Sequence, residues 1–382
     1  MEATQLTQTT DDKVKPTATS NRLLSLDFFR GATMFLLVAE STELYYQVYE
    51  HLEEGTFLHA IATQFHHHPW NGLRFWDLIQ PFFMFIVGVA MVFSLSKRVH
   101  SKEDWNKATK HILKRCFLLF LFGTGLHCVY NGKLVWELWN VLTQLSFTIL
   151  VAFLLFRSPL KVQIAASFAM LLLTEILYRF VDVEGFDQAF VQGHNFGSWL
   201  DMVLMGKINN GGWVTINCLP TAAHTIWGVV AGKVLISENE ASEKLKYLVI
   251  AGVVGLLLGY GLDILGITPI IKRIATTSFV FASGGWALLV LAFSYWFIDV
   301  KGSKNWVQFF SIVGMNSIFI YLFTQTVGYQ WVNGFAAIFT NGVLNWFNTN
   351  EFLMHIVASL AALAIYWYLC YWLFKHKIFF RV

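Results

Sequence analysis

The run Phe75-Trp76-Asp77-Leu78-Ile79-Gln80-Pro81-Phe82-Phe83-Met84-Phe85-Ile86-Val87-Gly88-Val89-Ala90-Met91-Val92-Phe93-Ser94-Leu95 decides the fold class. Beyond Asp77 it holds no charge, and wound as a helix its length matches the ~30 Å hydrocarbon core of a bilayer. Similar runs recur along the chain, which is 56% hydrophobic and only 13% charged. A soluble domain carries about 25% charged residues. Such a chain cannot bury its apolar surface in a soluble core. The expected fold is an all-α polytopic transmembrane bundle of about ten spans. They are placed at Leu24–Tyr45, Phe75–Leu95, Ile112–Val129, Leu134–Phe156, Val162–Phe180, Val214–Ile236, Tyr247–Leu265, Ala275–Phe297, Val307–Val327 and Phe352–Phe374. The short apolar stretch Trp331–Phe347, interrupted by Asn and Gly, reads as a re-entrant or interfacial segment or an eleventh span.

Lys and Arg orient the bundle. With the N-terminus inside, one face holds only Arg74, Lys133, Arg179, Lys207, Lys272 and Arg273, and Arg30 lies within the first span. The remaining cations, including the basic Lys97–Arg115 loop and the Lys375–Arg381 cluster, fall on the other face. The expectation is therefore cytoplasmic termini, with three long outer connections at Ser41–Arg74, Asp182–Trp213 and Gly328–Glu351. Residues 1–21 are polar and lack a signal-peptide core, so they read as a disordered cytoplasmic tail. Residues 22–382 read as a single membrane domain. Cys116, Cys128, Cys218 and Cys370 have neither CxxC nor metal-ligand spacing and read as packing residues.

The first outer connection ends in His66-His67-His68-Pro69-Trp70-Asn71-Gly72. Adjacent side chains diverge from the backbone, and no Cys or HExxH-type partner stands nearby, so no metal is expected. The alternatives are a packed or solvated cluster and one histidine exchanging a proton at the membrane's outer boundary. Asp77 and Gln80 share a helix face at the start of the second span. A carboxylate there requires pairing or water, because an unpaired one within a span costs on the order of 2.5–3.5 kcal/mol. Asp27 and Arg30 are spaced to pair, although a guanidinium there also suits phosphate. Glu40 lies further along the same helix, within reach of the histidines. His127, Asn140, Gln144, Glu175, Asn217, His224, Asp263, Asp299, Asn316, Gln325 and His355 also sit in or beside apolar runs. Together they imply a hydrated or ligand-filled interior, whereas singly each reads as a helix–helix hydrogen bond.

Several of these stretches form a pattern. Ser25-Leu26-Asp27-Phe28-Phe29-Arg30-Gly31 is followed by His67-x-x-Trp70-Asn71-Gly72-Leu73-x-x-x-Asp77-Leu78-x-x-Pro81-Phe82-x-x-Phe85-Ile86-x-Gly88. Then come Asn140-Val141-Leu142-Thr143-Gln144, Thr215-Ile216-Asn217 with Gly228 and Ala231-Gly232-Lys233, Ile298-Asp299-Val300-Lys301-Gly302, and Gly314-Met315-Asn316-Ser317-Ile318. The pattern resembles the heparan-alpha-glucosaminide N-acetyltransferase family of the transmembrane acyltransferase superfamily, and in particular a bacterial branch. The resemblance implies transfer of acetyl from cytoplasmic acetyl-CoA, as co-substrate, to an amino sugar across a bacterial cytoplasmic (inner) membrane.

Carried over by position, His67 is the acetyl-handling residue, as general base or acetyl carrier, with Asp77 orienting it and Glu40 nearby. Trp70, Asn71, Gln144, Asn217 and Asn316 would meet substrate. Arg30, Lys114 and Arg115 would meet the CoA phosphates. Expected partners are the lipid bilayer and a small amino sugar, with a homodimer left open and no nucleic acid. Ala39-Glu40-Ser41, Gln80 before Pro81, and Thr143-Gln144-Leu145 depart from the lysosomal pattern and bear on the acceptor. The alternative reading is an amino-sugar permease that uses the same polar interior as a midplane binding site.

Overall fold

A computed structural model describes residues 23–96 and 101–380, so Lys97, Arg98, Arg381 and the predicted 1–21 tail lie outside the described residues. Every described element is a helix. The chain begins with α1 (Leu24–Glu40), α2 (Leu44–Glu50) and α3 (Phe57–Thr63), and a 3-10 turn, Phe75–Leu78, leads into α4 (Ile79–Ser96). Next are α5 (Lys102–Asn131), α6 (Val141–Leu155), α7 (Leu160–Phe180) and α8 (Phe196–Met205). A second 3-10 turn, Thr215–Asn217, opens α9 (Cys218–Ile236), which is followed by α10 (Ala241–Ile264) and α11 (Thr277–Ser294). The last are α12 (Val307–Met315), α13 (Ser317–Phe323), α14 (Asn333–Asn345) and α15 (Glu351–Lys375).

Seven of these helices are long and apolar enough to cross a membrane, and an eighth counts if the bent pair beginning at Val307 is one span. Two expected spans are shorter than the reading above. α1 has 17 residues, because Ser41 and Thr42 hydroxyls turn back onto the carbonyls of Val38 and Ala39 and Glu43 takes a left-handed conformation. α6 has 15 residues and starts only at Val141, where Asn140 caps it by accepting from the Leu142 N–H.

Other boundaries move outward. The segment read as a basic loop is mostly helix, since Ser101 and Asp104 form a reciprocal cap that starts α5 at Lys102. This places Lys107, Lys114 and Arg115 on α5. The segment read as the connection Gly328–Glu351 is also corrected. From Ser317 the chain stays helical to Asn345, with the wider π winding over Thr324–Val332. Gly328, Gly334 and Gly342 are all accommodated within it, and Gly328 packs against the Tyr366 hydroxyl. The break comes instead at Asn316, where the axis bends by 72°. Its side chain ties the far end of the chain to that bend, accepting from Phe380 N at 2.9 Å and donating to the Ile378 carbonyl at 3.0 Å.

α4 and α9 cross at the centre of the bundle. A Cβ on Gly88 would collide with the Thr225 carbonyl, and one on Gly228 with that of Phe85, so each glycine admits the other backbone. Phe85, Ile86, Val89 and Val92 of α4 are fully buried around this crossing. α7, α10 and α15 lie at the periphery, with only 22% of their apolar windows buried, and they present Leu172, Leu257 and Leu360 outward. That is how a bundle meets lipid, where outward apolar surface costs nothing.

Candidate active site

The helices enclose a cavity of about 810 Å³. Ile79, Phe83, Ile86, Val87, Ala90, Met91, Ser94 and Leu95 line it along the length of α4, which makes it ~24 Å long at the helical rise. Arg30, Met34, Leu37 and Glu40 form the facing stripe on α1. At one end stand His67, Trp76, Trp213, Lys272 and Glu40, and toward the other Arg30, Asp104, Lys107, His111 and Arg115.

The histidine end is built locally. Asp77 sits in the 3-10 turn with its carboxylate folded back, so that Oδ2 accepts from Arg74 N at 3.0 Å and His68 N at 3.2 Å. Oδ1 then lies 3.0 Å from His67 Nδ1. The three histidines diverge. His66 packs at a tilt against the Tyr49 ring, His68 lies over Gly72, and His67 borders the cavity with 39% of its side-chain surface accessible. From across the fold, Lys272 brings Nζ to 3.0 Å from the same His67 Nδ1 and 3.5 Å from Asp77 Oδ1. The segment carrying it is anchored by Gly72 N donating to Ile270 O at 2.8 Å and by buried Ile270, Ile271 and Ile274. Trp213 closes the corner, edge-on to His67 and beneath the Lys272 ammonium. Trp76 donates to Glu40 Oε1 at 2.8 Å, which aligns that carboxylate with the cavity wall.

Burial pushes the His67 imidazole down to about 4, with the Lys272 charge adding to the effect and Asp77 opposing it. Burial also lowers Lys272, to about 8, against the pull of Asp77 and Glu40. At neutral pH the ring is therefore uncharged. With Nδ1 turned to Asp77, its Nε2 lone pair is available as a base.

The other predicted site residues divide. Gln144 and Asn217 form a hydrogen-bonded chain running from Gln80, on the cavity wall, to the Arg273 carbonyl. Arg30 pairs with Asp27 at 3.0 Å and lines the cavity. Arg115 lines it too, and its Nε is buried without a hydrogen-bond partner. Lys114 is exposed on α5 outside the cavity, as is Asn71 in its connection. Trp70 points away, donating to Phe190 O at 2.7 Å, and the Asn316 amide is spent on the Ile378–Phe380 backbone. Several other interior polar groups also have protein partners: His224 meets Ser283, Asp299 accepts from the first N–H groups of α1, and His127 meets Glu137. Lys272, Trp213 and Trp76 were missed by sequence reasoning. The one signal for Lys272 was its setting among Ile270, Ile271 and Ile274, unusual for a solvated lysine.

A family model described as heparan-alpha-glucosaminide N-acetyltransferase, catalytic, matches residues 22–267. Heparan-alpha-glucosaminide N-acetyltransferase of Mus musculus is 23% identical over 433 residues, covering 96% of this chain and 61% of the relative. The Homo sapiens protein of that name is 23% identical over 431 residues, covering 94% and 60%. This chain thus spans about three-fifths of the length of those curated relatives. The matched segment contains His67, Asp77, Glu40, Gln144 and Asn217 and ends before Lys272. The chain belongs to the heparan-alpha-glucosaminide N-acetyltransferase catalytic family.

Proposed function

We propose that this chain is a transmembrane N-acetyltransferase that moves acetyl from acetyl-CoA on one side of a membrane to the amine of a sugar on the other, with His67 handling the proton. The observation that carries this reading is one cavity bordered by His67 at one end and by Arg30 and Arg115 toward the other. The donor is a substrate, and the residues fit it in three parts. The unpartnered Arg115 Nε and the Arg30 guanidinium suit phosphate. Phe83, Val87, Met91 and Leu142 suit an apolar arm. His67 suits the thioester.

In the reaction, the sugar amine attacks the thioester carbonyl, a C–N bond forms and the C–S bond breaks. His67 Nε2 takes the amine proton and returns it to the thiolate. A carrier route, in which His67 itself is transiently acetylated, would release CoA before any acceptor is added.

This reading extends to the setting. α1 and α6 cross the membrane as well, giving ten spans with both termini in the cytoplasm of a bacterium and the His67 end at the outer face of its inner membrane. Residues 22–382 act as one unit, consistent with a cavity lined from Arg30 to Phe380. The test is transfer of labelled acetyl to glucosamine by purified protein. His67→Ala should abolish transfer while His66→Ala and His68→Ala keep it; unchanged transfer in His67→Ala would sink the reading.

A further inference from the structure

We infer that Lys272 is a positioning residue for His67: its ammonium counters the Asp77 carboxylate so that the imidazole is held oriented but uncharged, ready to accept a proton. This rests on the acetyl-transfer reading of the site and adds to it a residue that lies beyond the family-matched segment.

The argument begins with what a histidine–carboxylate pair does alone. A carboxylate on Nδ1 fixes the ring and its tautomer, but it also stabilises the imidazolium. A base charged before the substrate arrives cannot take a proton from an amine. Orientation by Asp77 therefore carries a cost, which a nearby cation removes by favouring the uncharged ring.

The geometry supplies that cation. His67 Nδ1, Asp77 Oδ1 and Lys272 Nζ form a triangle with sides of 3.0, 3.0 and 3.5 Å. Asp77 is 1% and Lys272 7% exposed, so water screens their interaction little. Nδ1 has one in-plane site, which holds either a hydrogen for Asp77 or a lone pair for Lys272. With the hydrogen toward Asp77, Nε2 keeps its lone pair for the substrate proton and Lys272 acts on the ring through its charge; with the lone pair toward Lys272, the hydrogen sits on Nε2 and the ring is no base there. The other charged and titratable groups around His67 do not replace Lys272. Arg273 follows it in sequence, and its guanidinium donates to the Gly211 carbonyl. Arg74 donates to the His67 carbonyl rather than to the ring. His68 reaches Asp77 only through its backbone N–H. Glu40 is engaged by Trp76 and acts on the Lys272 side.

Two variants test the charge. Lys272→Met keeps the length and apolar stem and removes the ammonium, whereas Lys272→Arg keeps a permanent cation. The readout is the pH dependence of acetyl transfer, paired with carbethoxylation of His67 by diethyl pyrocarbonate, followed by peptide mass spectrometry. The reagent attacks only the uncharged ring, so it reports the protonation of His67 whether or not transfer occurs. In the unsubstituted protein, carbethoxylation of His67 should change little between pH 7.5 and pH 5.5, in line with a ring lowered to about 4. In Lys272→Met, Asp77 is left unopposed while burial remains, so carbethoxylation, and transfer relative to the unsubstituted protein, should fall several-fold between pH 7.5 and pH 5.5. Lys272→Arg should follow the unsubstituted profile.

An acid limb unmoved in Lys272→Met overturns the inference, because a merely structural lysine lowers the rate without moving the limb. A limb that moves equally in Lys272→Arg also overturns it. If the unsubstituted protein transfers no acetyl, the functional reading fails, and the carbethoxylation profiles still decide the role of Lys272.

Discussion

The molecule builds a histidine–carboxylate–lysine trio twice. His67, Asp77 and Lys272 meet at one end of the cavity; His127, Glu137 and Lys207 meet where the end of α5, the segment before α6 and the segment after α8 come together. In the second group the carboxylate divides its oxygens. Glu137 Oε2 binds His127 Nδ1 at 2.6 Å, and Oε1 binds Lys207 Nζ at 2.6 Å. Burial works against the charge on Glu137, but the bonds from Lys207 and His127 hold its carboxyl below the usual range. Lys207 is 37% exposed, and none of the three lines the cavity. In the first group the carboxylate spends Oδ2 on backbone, both partners crowd Oδ1, and the lysine is buried. Similar chemistry thus yields a strap in one place and, as proposed, a proton-handling device in the other. Access to the cavity and competition for a single oxygen make the difference.

That contrast can be broken by substitution. The largest effect should come from His67→Ala, which should lower acetyl transfer by about 10²–10⁴-fold, the range for a lost acid–base group, while His127→Ala stays within about twofold. Equal losses would erase the distinction. Asp77→Asn should keep the ring's neighbours but lose its orientation, lowering kcat about 100-fold. Glu137→Gln should leave kcat alone and lower the Tm by a few degrees, as expected for one weakened ion-pair cluster. Arg115→Gln, at the opposite end of the cavity from His67, should raise KM for acetyl-CoA about tenfold with kcat little changed, because it removes binding shared by ground and transition states. The smallest effect should be that of Lys114→Gln, on the exposed side of α5, with KM within about twofold.

The sequence made the membrane helices legible because their signal is local: apolar length and caps. The His67–Asp77 pair was legible only through the family resemblance, which carried Asp77 over by position as a residue orienting His67; the two lie ten positions apart across one connection. Lys272 was not legible, because it joins His67 from 205 positions away and no spacing encodes such a meeting. The same holds for Lys207 with Glu137 and for Asp299, which caps α1 from the other end of the chain. In Trp331–Phe347 the helix runs through Asn and Gly as far as Asn345, although such residues usually interrupt helices. Here Asn333 is held by the Tyr366 hydroxyl at 2.7 Å, and tertiary packing overrides propensity. Lys114 misled because neighbouring residues on a helix point about 100° apart, so Arg115 faces the cavity and Lys114 does not.

The bend at Asn316 has a practical consequence for handling the protein. Because its amide grips the backbone at Ile378 and Phe380, and Phe380 forms part of the cavity wall, the segment Ile378–Phe380 works as masonry rather than trailing thread. An affinity handle or fluorescent fusion joined at residue 382 would pull on that wall directly.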